Sequence, residues 1–173
     1  QPDFNWEHPE VREHFESILK FWLDRGVDGF RIDVAHALIK YPGLPDIPPA
    51  RERASNDEFV PDEERPMWDQ DGVHEIYRSW RKILNSYPGD RMAVAEAWVS
   101  PASRIARYLR PDELANSFNF DFLTSLWEPA YLTGMINRAV NAMAEVGAPP
   151  SWVFNNHDVT RSVDRFDLGL QNR

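Results

Sequence analysis

The feature that most constrains this chain is a fourfold alternation between stretches of helical period and short apolar runs. Pro9 suits a first helical position, and Val11, Phe15, Ile18, Leu19 and Trp22 recur at helical spacing over 9–25 until Gly26 stops them. Gly29-Phe30-Arg31-Ile32-Asp33-Val34-Ala35-His36 then reads as a strand. Val73, Ile76, Tyr77, Trp80, Ile83 and Leu84 restore the helical period, and Pro88-Gly89-Asp90 ends it before a second strand over 92–98. Ser100-Pro101 opens another helix by cap and first-turn proline, running towards Leu109. Residues 117–122 alternate aromatic and polar as a third strand, a helix over 131–146 stops at Gly147, and Pro149-Pro150 leads into a fourth strand over 151–158. Such an order predicts an α/β fold with a parallel sheet of βα units.

The polar residues choose between an open sheet and a barrel. Asp33, Glu96 and the pair His157-Asp158 all fall at the C-terminal ends of their strands, where a (β/α)8 barrel carries its chemistry. Asp33 and Glu96 lie 63 residues apart, and Glu96 and Asp158 lie 62 apart, two decorated βα units each time. A complete barrel takes about 250 residues, so 173 residues correspond to part of one, about strands four to seven, truncated at both ends. In the first strand Phe30, Ile32 and Val34 should project to one side, and Arg31 and Asp33 to the other. Two charges on one face of a buried strand need each other or a wet border.

Residues 37–71 break the pattern with six prolines and no sustained period, which predicts a long active-site loop; Phe59 and Trp68 are the aromatics a ligand-touching loop would carry. A net charge of −9 argues against nucleic acid or an anionic membrane as partner. No apolar run reaches the roughly 18 residues of a membrane span. The absence of cysteine leaves no thiolate metal site and leans towards a reducing, cytoplasmic setting. His157 beside Asp158 has no second histidine or acid cluster at ligand spacing, so no metal site is read there. No Gly-rich phosphate loop is present.

Three carboxylates at one barrel mouth suit the cleavage of a glycosidic bond with retention, which needs one ionised nucleophile, one proton donor and charge to steady an oxocarbenium-like transition state. Here the residues become familiar. Gly29 to His36, Glu96-Ala97-Trp98 and Phe154-Asn155-Asn156-His157-Asp158 closely resemble three motifs of glycoside hydrolase family 13, the α-amylase family. Gln1-Pro2-Asp3-Phe4-Asn5-Trp6 resembles the extra motif of its α-glucosidase and oligo-1,6-glucosidase branch, with Phe4 where Leu is more usual.

The resemblance implies Asp33 as nucleophile, Glu96 as general acid/base and Asp158 as transition-state stabiliser on the sugar's 2- and 3-hydroxyls. It implies that Arg31 holds the nucleophile and His157 bonds the same ring, and His36 would line the leaving-group side. Residues 1–8 would then end an inserted small domain or loop. The implied activity is a retaining, exo-acting α-glucosidase on short maltose- or isomaltose-type oligosaccharides. In such relatives Val after the nucleophile goes with tolerance of α-1,6 bonds, so Val34 points that way, and linkage stays open. No organic cofactor is implied, and the loops that bind structural Ca²⁺ in some relatives lie outside this chain. The family's Asp-x-x-x-x-His strand is absent here, so the chain by itself is expected to be inactive. Two alternatives remain: a transglycosylase of trehalose-synthase or sucrose-acting type, and the non-catalytic ectodomain of an amino-acid transporter heavy chain. The second typically loses the carboxylates that Asp33, Glu96 and Asp158 retain.

Overall fold

Gly29 begins the first strand because nothing larger fits. A Cβ there would lie 2.5 Å from the Met92 carbonyl oxygen of the neighbouring strand, closer than a real side chain approaches backbone. In the computed structural model, which describes residues 2–46 and 65–167, this strand, β1 (Gly29–Ile32), runs parallel to β2 (Met92–Ala95). Next come β3 (Ala115–Asn119) and β4 (Ser151–Trp152), so the four described strands lie in chain order, all parallel. Ile32 pairs with Ala95 and Ala95 with Ser117, so β1, β2 and β3 deliver their C-terminal ends to one edge.

Helices fill the connections, as the alternation predicts. Helix α1 (Pro9–Leu23) precedes β1, α2 (Val73–Asn85) leads into β2, and α3 (Ala102–Tyr108) leads into β3. A single turn, α4 (Phe120–Leu123), and then α5 (Pro129–Ala144) lead into β4, and α6 (Ser162–Asp167) follows it. The periodic residues of α2 are the centre of the core: Val73, Ile76, Tyr77, Trp80, Ile83 and Leu84 are buried with Ala93 and Ala95 of β2 and with Leu114 just before β3. Burying a Leu- or Ile-sized side chain is worth about 1.5–3 kcal/mol, and this packing fixes the sheet behind the strand ends. Trp6 joins it, tilted against Phe15 at 4.4 Å and Trp80 at 5.9 Å between ring centroids.

Several expected boundaries move. The first strand stops at Ile32, and Asp33 and Val34 form a turn in which Val34 takes φ 45° and faces solvent. The strict alternation therefore fails at Val34, and Arg31 and Asp33 stand at an exposed edge rather than on a buried strand. The aromatic–polar run leaves the sheet after Asn119, whose side-chain oxygen accepts the Phe122 N–H at 3.0 Å and starts α4. Phe120 and Phe122 are both buried, on different partners: Phe120 stacks on Trp98 at 4.2 Å, and Phe122 packs against Trp152 at 5.4 Å and Phe154 at 4.8 Å between ring centroids. Ser100 is not the cap of α3: Pro101 occupies that position without a side-chain bond. The fourth strand keeps only two residues, and 153–161 form loop and turns. Of the expected long loop, residues 47–64, Phe59 included, lie outside the described residues.

Candidate active site

The turn after β1 is held from four directions. Arg31 Nη1 meets Asp33 Oδ1 at 2.5 Å, so the two charges that the sequence places on one face do pair. The Val34 N–H donates to Glu96 Oε2 at 2.8 Å, and the Ala35 N–H donates to the Glu96 backbone carbonyl at 2.8 Å. Behind them the Tyr77 hydroxyl donates to the Ala35 carbonyl, and the Asp69 N–H donates to the His36 carbonyl at 2.5 Å. A β-branched residue at positive φ costs of order 1–3 kcal/mol and persists only where its surroundings over-determine it. Glu96 is a principal part of those surroundings. The residue is 5% exposed and sits one position beyond β2, with its carboxyl against the residue that follows Asp33.

The structure thus brings Asp33 and Glu96 to adjacent strand ends. Asp158 and His157 stand apart, on the exposed turn after β4, with His157 Nε2 3.5 Å from Asp158 Oδ2. The Asn156 side chain orders this turn by accepting the Asp158 N–H at 3.0 Å and the Val159 N–H at 3.1 Å. Among the described residues no hydrogen bond or ion pair joins Asp158 to Asp33 or Glu96. His36 is not at an open surface. It is 4% exposed beneath Trp68, ring centroids 5.2 Å apart at 24°, and burial pushes its imidazole down to about 4 against the pull of Asp69. A lone histidine in a sequence carries no sign of which way it faces.

Sequence reasoning missed the residues that brace this edge. Asp69, 3% exposed at φ 50°, accepts from Arg65 at 2.9 Å, from Tyr108 Oη at 2.8 Å and from Arg104. Burial and the Asp69 charge raise the Tyr108 hydroxyl well above its ordinary range. Nearby, hydrogen bonding from Arg107 holds the Asp71 carboxyl at about 2. Lys40 joins Asp3, of the N-terminal motif, to the Ala37 carbonyl, the ammonium lying 2.7 Å from the Asp3 carboxylate. Only the Asp3 motif carried a signal in the sequence; Asp69 is one acid among many in an acid-rich stretch. Among the described residues, no group of three His, Asp or Glu could hold a metal ion, and no helix is long and apolar enough to cross a membrane.

Comparison with known proteins gives this parallel βα sheet, with carboxylates at adjacent strand ends, a family. The chain belongs to the alpha-amylase family: residues 1–173 match the family's catalytic domain. It is 35% identical over 182 residues to an oligo-1,6-glucosidase of Parageobacillus thermoglucosidasius, an alignment covering 96% of this chain and 31% of the relative. It is 31% identical over 191 residues to maltase A2 of Drosophila melanogaster, covering 95% and 31%. The crystal structure of the alpha-glucosyl transfer enzyme XgtA superposes with a TM-score of 0.79 at 29% identity, covering 95% of this chain and 32% of that one. The chain therefore spans about a third of the length of these relatives, and its four parallel strands are part of the family's TIM barrel.

Proposed function

We propose that this chain contributes the carboxylate face of a retaining, exo-acting α-glucosidase that removes terminal α-linked glucose from maltose- or isomaltose-type oligosaccharides. The observation that carries the reading is the joined turn, in which Arg31 grips Asp33 while the Glu96 carboxylate takes the amide of Val34. In this mechanism Asp33 attacks the anomeric carbon as the bond to the leaving oxygen breaks, giving a covalent glycosyl ester. Glu96 protonates the leaving oxygen, then removes a proton from the water that cleaves the ester. Arg31 keeps Asp33 oriented. Asp158 and His157, on the turn after β4, receive hydroxyls of the same ring. The kinship with maltase A2 and the oligo-1,6-glucosidase supports an α-glucosidic substrate.

The likeness to XgtA favours a second reading, in which a sugar replaces water as acceptor of the same intermediate. Product analysis of the complete protein with maltose separates them: glucose alone supports hydrolysis, and longer or rearranged glucosides support transfer. For either reading, Asp33→Asn is expected to abolish turnover and leave substrate binding largely intact. Retained turnover in that variant would remove Asp33 from the nucleophile role.

A further inference from the structure

Trp68 is held more firmly than its place in a loop requires. Arg65 Nη1 donates to its carbonyl at 3.3 Å, and the Gln70 side-chain amide donates to the same carbonyl at 3.2 Å and to the Arg65 carbonyl at 3.0 Å. The next residue is the buried Asp69, anchored by Arg65, Arg104 and Tyr108, and its N–H is bonded to the His36 carbonyl. One face of the indole is occupied by the buried His36 ring. Yet Trp68 remains 39% exposed. An indole braced on one face and open elsewhere is a preorganised contact surface, and little conformational freedom is lost when a ligand meets it.

Its position gives that surface a purpose. His36, directly beneath it, is three residues beyond Asp33, and the residue between His36 and Val34 is bonded to the Glu96 backbone. Trp68 therefore stands on the loop side of the turn that carries the carboxylate pair. A pyranose ring offers an apolar C–H face rimmed by hydroxyls, which matches an indole with its apolar body and polar N–H. We propose that Trp68 is the stacking platform for the sugar on the leaving-group side of the scissile bond, and that it sets the preference for substrates with a second ring. The proposal rests on the assignment of Asp33 and Glu96 as the reacting pair.

The test compares the unaltered complete protein with Trp68→Ala and Trp68→Phe on two kinds of substrate. Maltose and isomaltose have a second ring to stack; α-glucosyl fluoride has none. An aromatic contact of about 0.5–1.5 kcal/mol corresponds to a loss of up to about tenfold. Trp68→Ala is expected to lower kcat/KM on the disaccharides severalfold, up to about tenfold, and to change the fluoride by less than about twofold, and Trp68→Phe to retain most activity on both. Equal losses on both substrates, or no loss on the disaccharides, would overturn the platform. If Trp68→Ala fails to fold, Trp68→Leu, which keeps apolar volume over His36 without a flat ring, gives the same comparison. A complete, unaltered protein that releases no fluoride would sink the glucosidase assignment instead, which keeps the two failures apart.

Discussion

His36 gives the most direct test of how this edge is built. Its imidazole, expected near 6.5 in an unfolded chain, is pushed down to about 4 chiefly by burial, with Lys40 acting in the same direction and Asp69 and the Glu96 carbonyl opposing. The folded state therefore binds fewer protons than the unfolded one between these values. Stability from neutral His36 is complete above pH 6.5 and is lost as the pH falls towards 4, a range of about 2.5 units worth about 3 kcal/mol. Asp71 acts in a different window: its carboxyl is lowered from 3.8 to about 2, so its contribution is present above 3.8 and declines as the pH falls through 2. The perturbation is His36→Phe, which keeps a flat ring under Trp68 and removes the titration. Histidine-selective NMR of the complete protein should show one imidazole, missing in the variant, that stays neutral until close to pH 4. In denaturant melts, the variant should lose less stability than the parent between pH 6.5 and 4. A His36 resonance that titrates near 6.5, or equal slopes for the two proteins, would refute the argument.

Two further substitutions test the bracing. Asp69→Asn leaves the guanidinium groups of Arg65 and Arg104 beside a neutral amide in a buried site, and removing one partner of a buried pair typically costs about 3–5 kcal/mol; a lower urea midpoint is expected, and an unchanged one would show that the pairs add nothing. Arg81→Met removes donors to the carbonyls of Glu113 at 2.5 Å, Leu114 at 2.9 Å and Arg91 at 2.8 Å, just before β2 and β3, and of these Leu114 still accepts the Ala93 N–H at 3.2 Å. Its expected cost is about 3 kcal/mol by the same melt, and a loss under about 1 kcal/mol would mean that water replaces the guanidinium.

What the sequence made legible follows from how far each signal reaches. Helices α1, α2 and α5 announce themselves because apolar residues repeat every three or four positions, and the βα order then dictates a parallel sheet. The Arg31–Asp33 pair was legible for the same reason, being two residues apart in one stretch. The link from Val34 to Glu96 was not, since it joins residues 62 apart, and that link goes with the left-handed turn that ends β1 early. Likewise 117–122 alternates like a strand, but the Asn119 side chain caps a helical turn by accepting the Phe122 N–H, and the strand ends there. The anchoring of Asp69 depends on Arg104 and Tyr108 arriving from α3, and the cover of His36 on Trp68 arriving from a later loop, neither of which a local pattern encodes.

The bonds that close the base of the loop after β1 have a further consequence. Tyr41 N–H meets the Pro66 carbonyl at 2.7 Å and Asp69 N–H meets the His36 carbonyl at 2.5 Å, so the chain departs and returns through a fastened neck. With the neck closed by its own bonds, the number of residues beyond it has little leverage on the carboxylates; doubling such a loop costs only about 0.6 kcal/mol in closure entropy. This makes the segment an exchangeable module. Insertions, deletions or a transplanted loop between Tyr41 and Pro66 are expected to leave the Val34–Glu96 bond, and with it the registration of Asp33 and Glu96, unchanged.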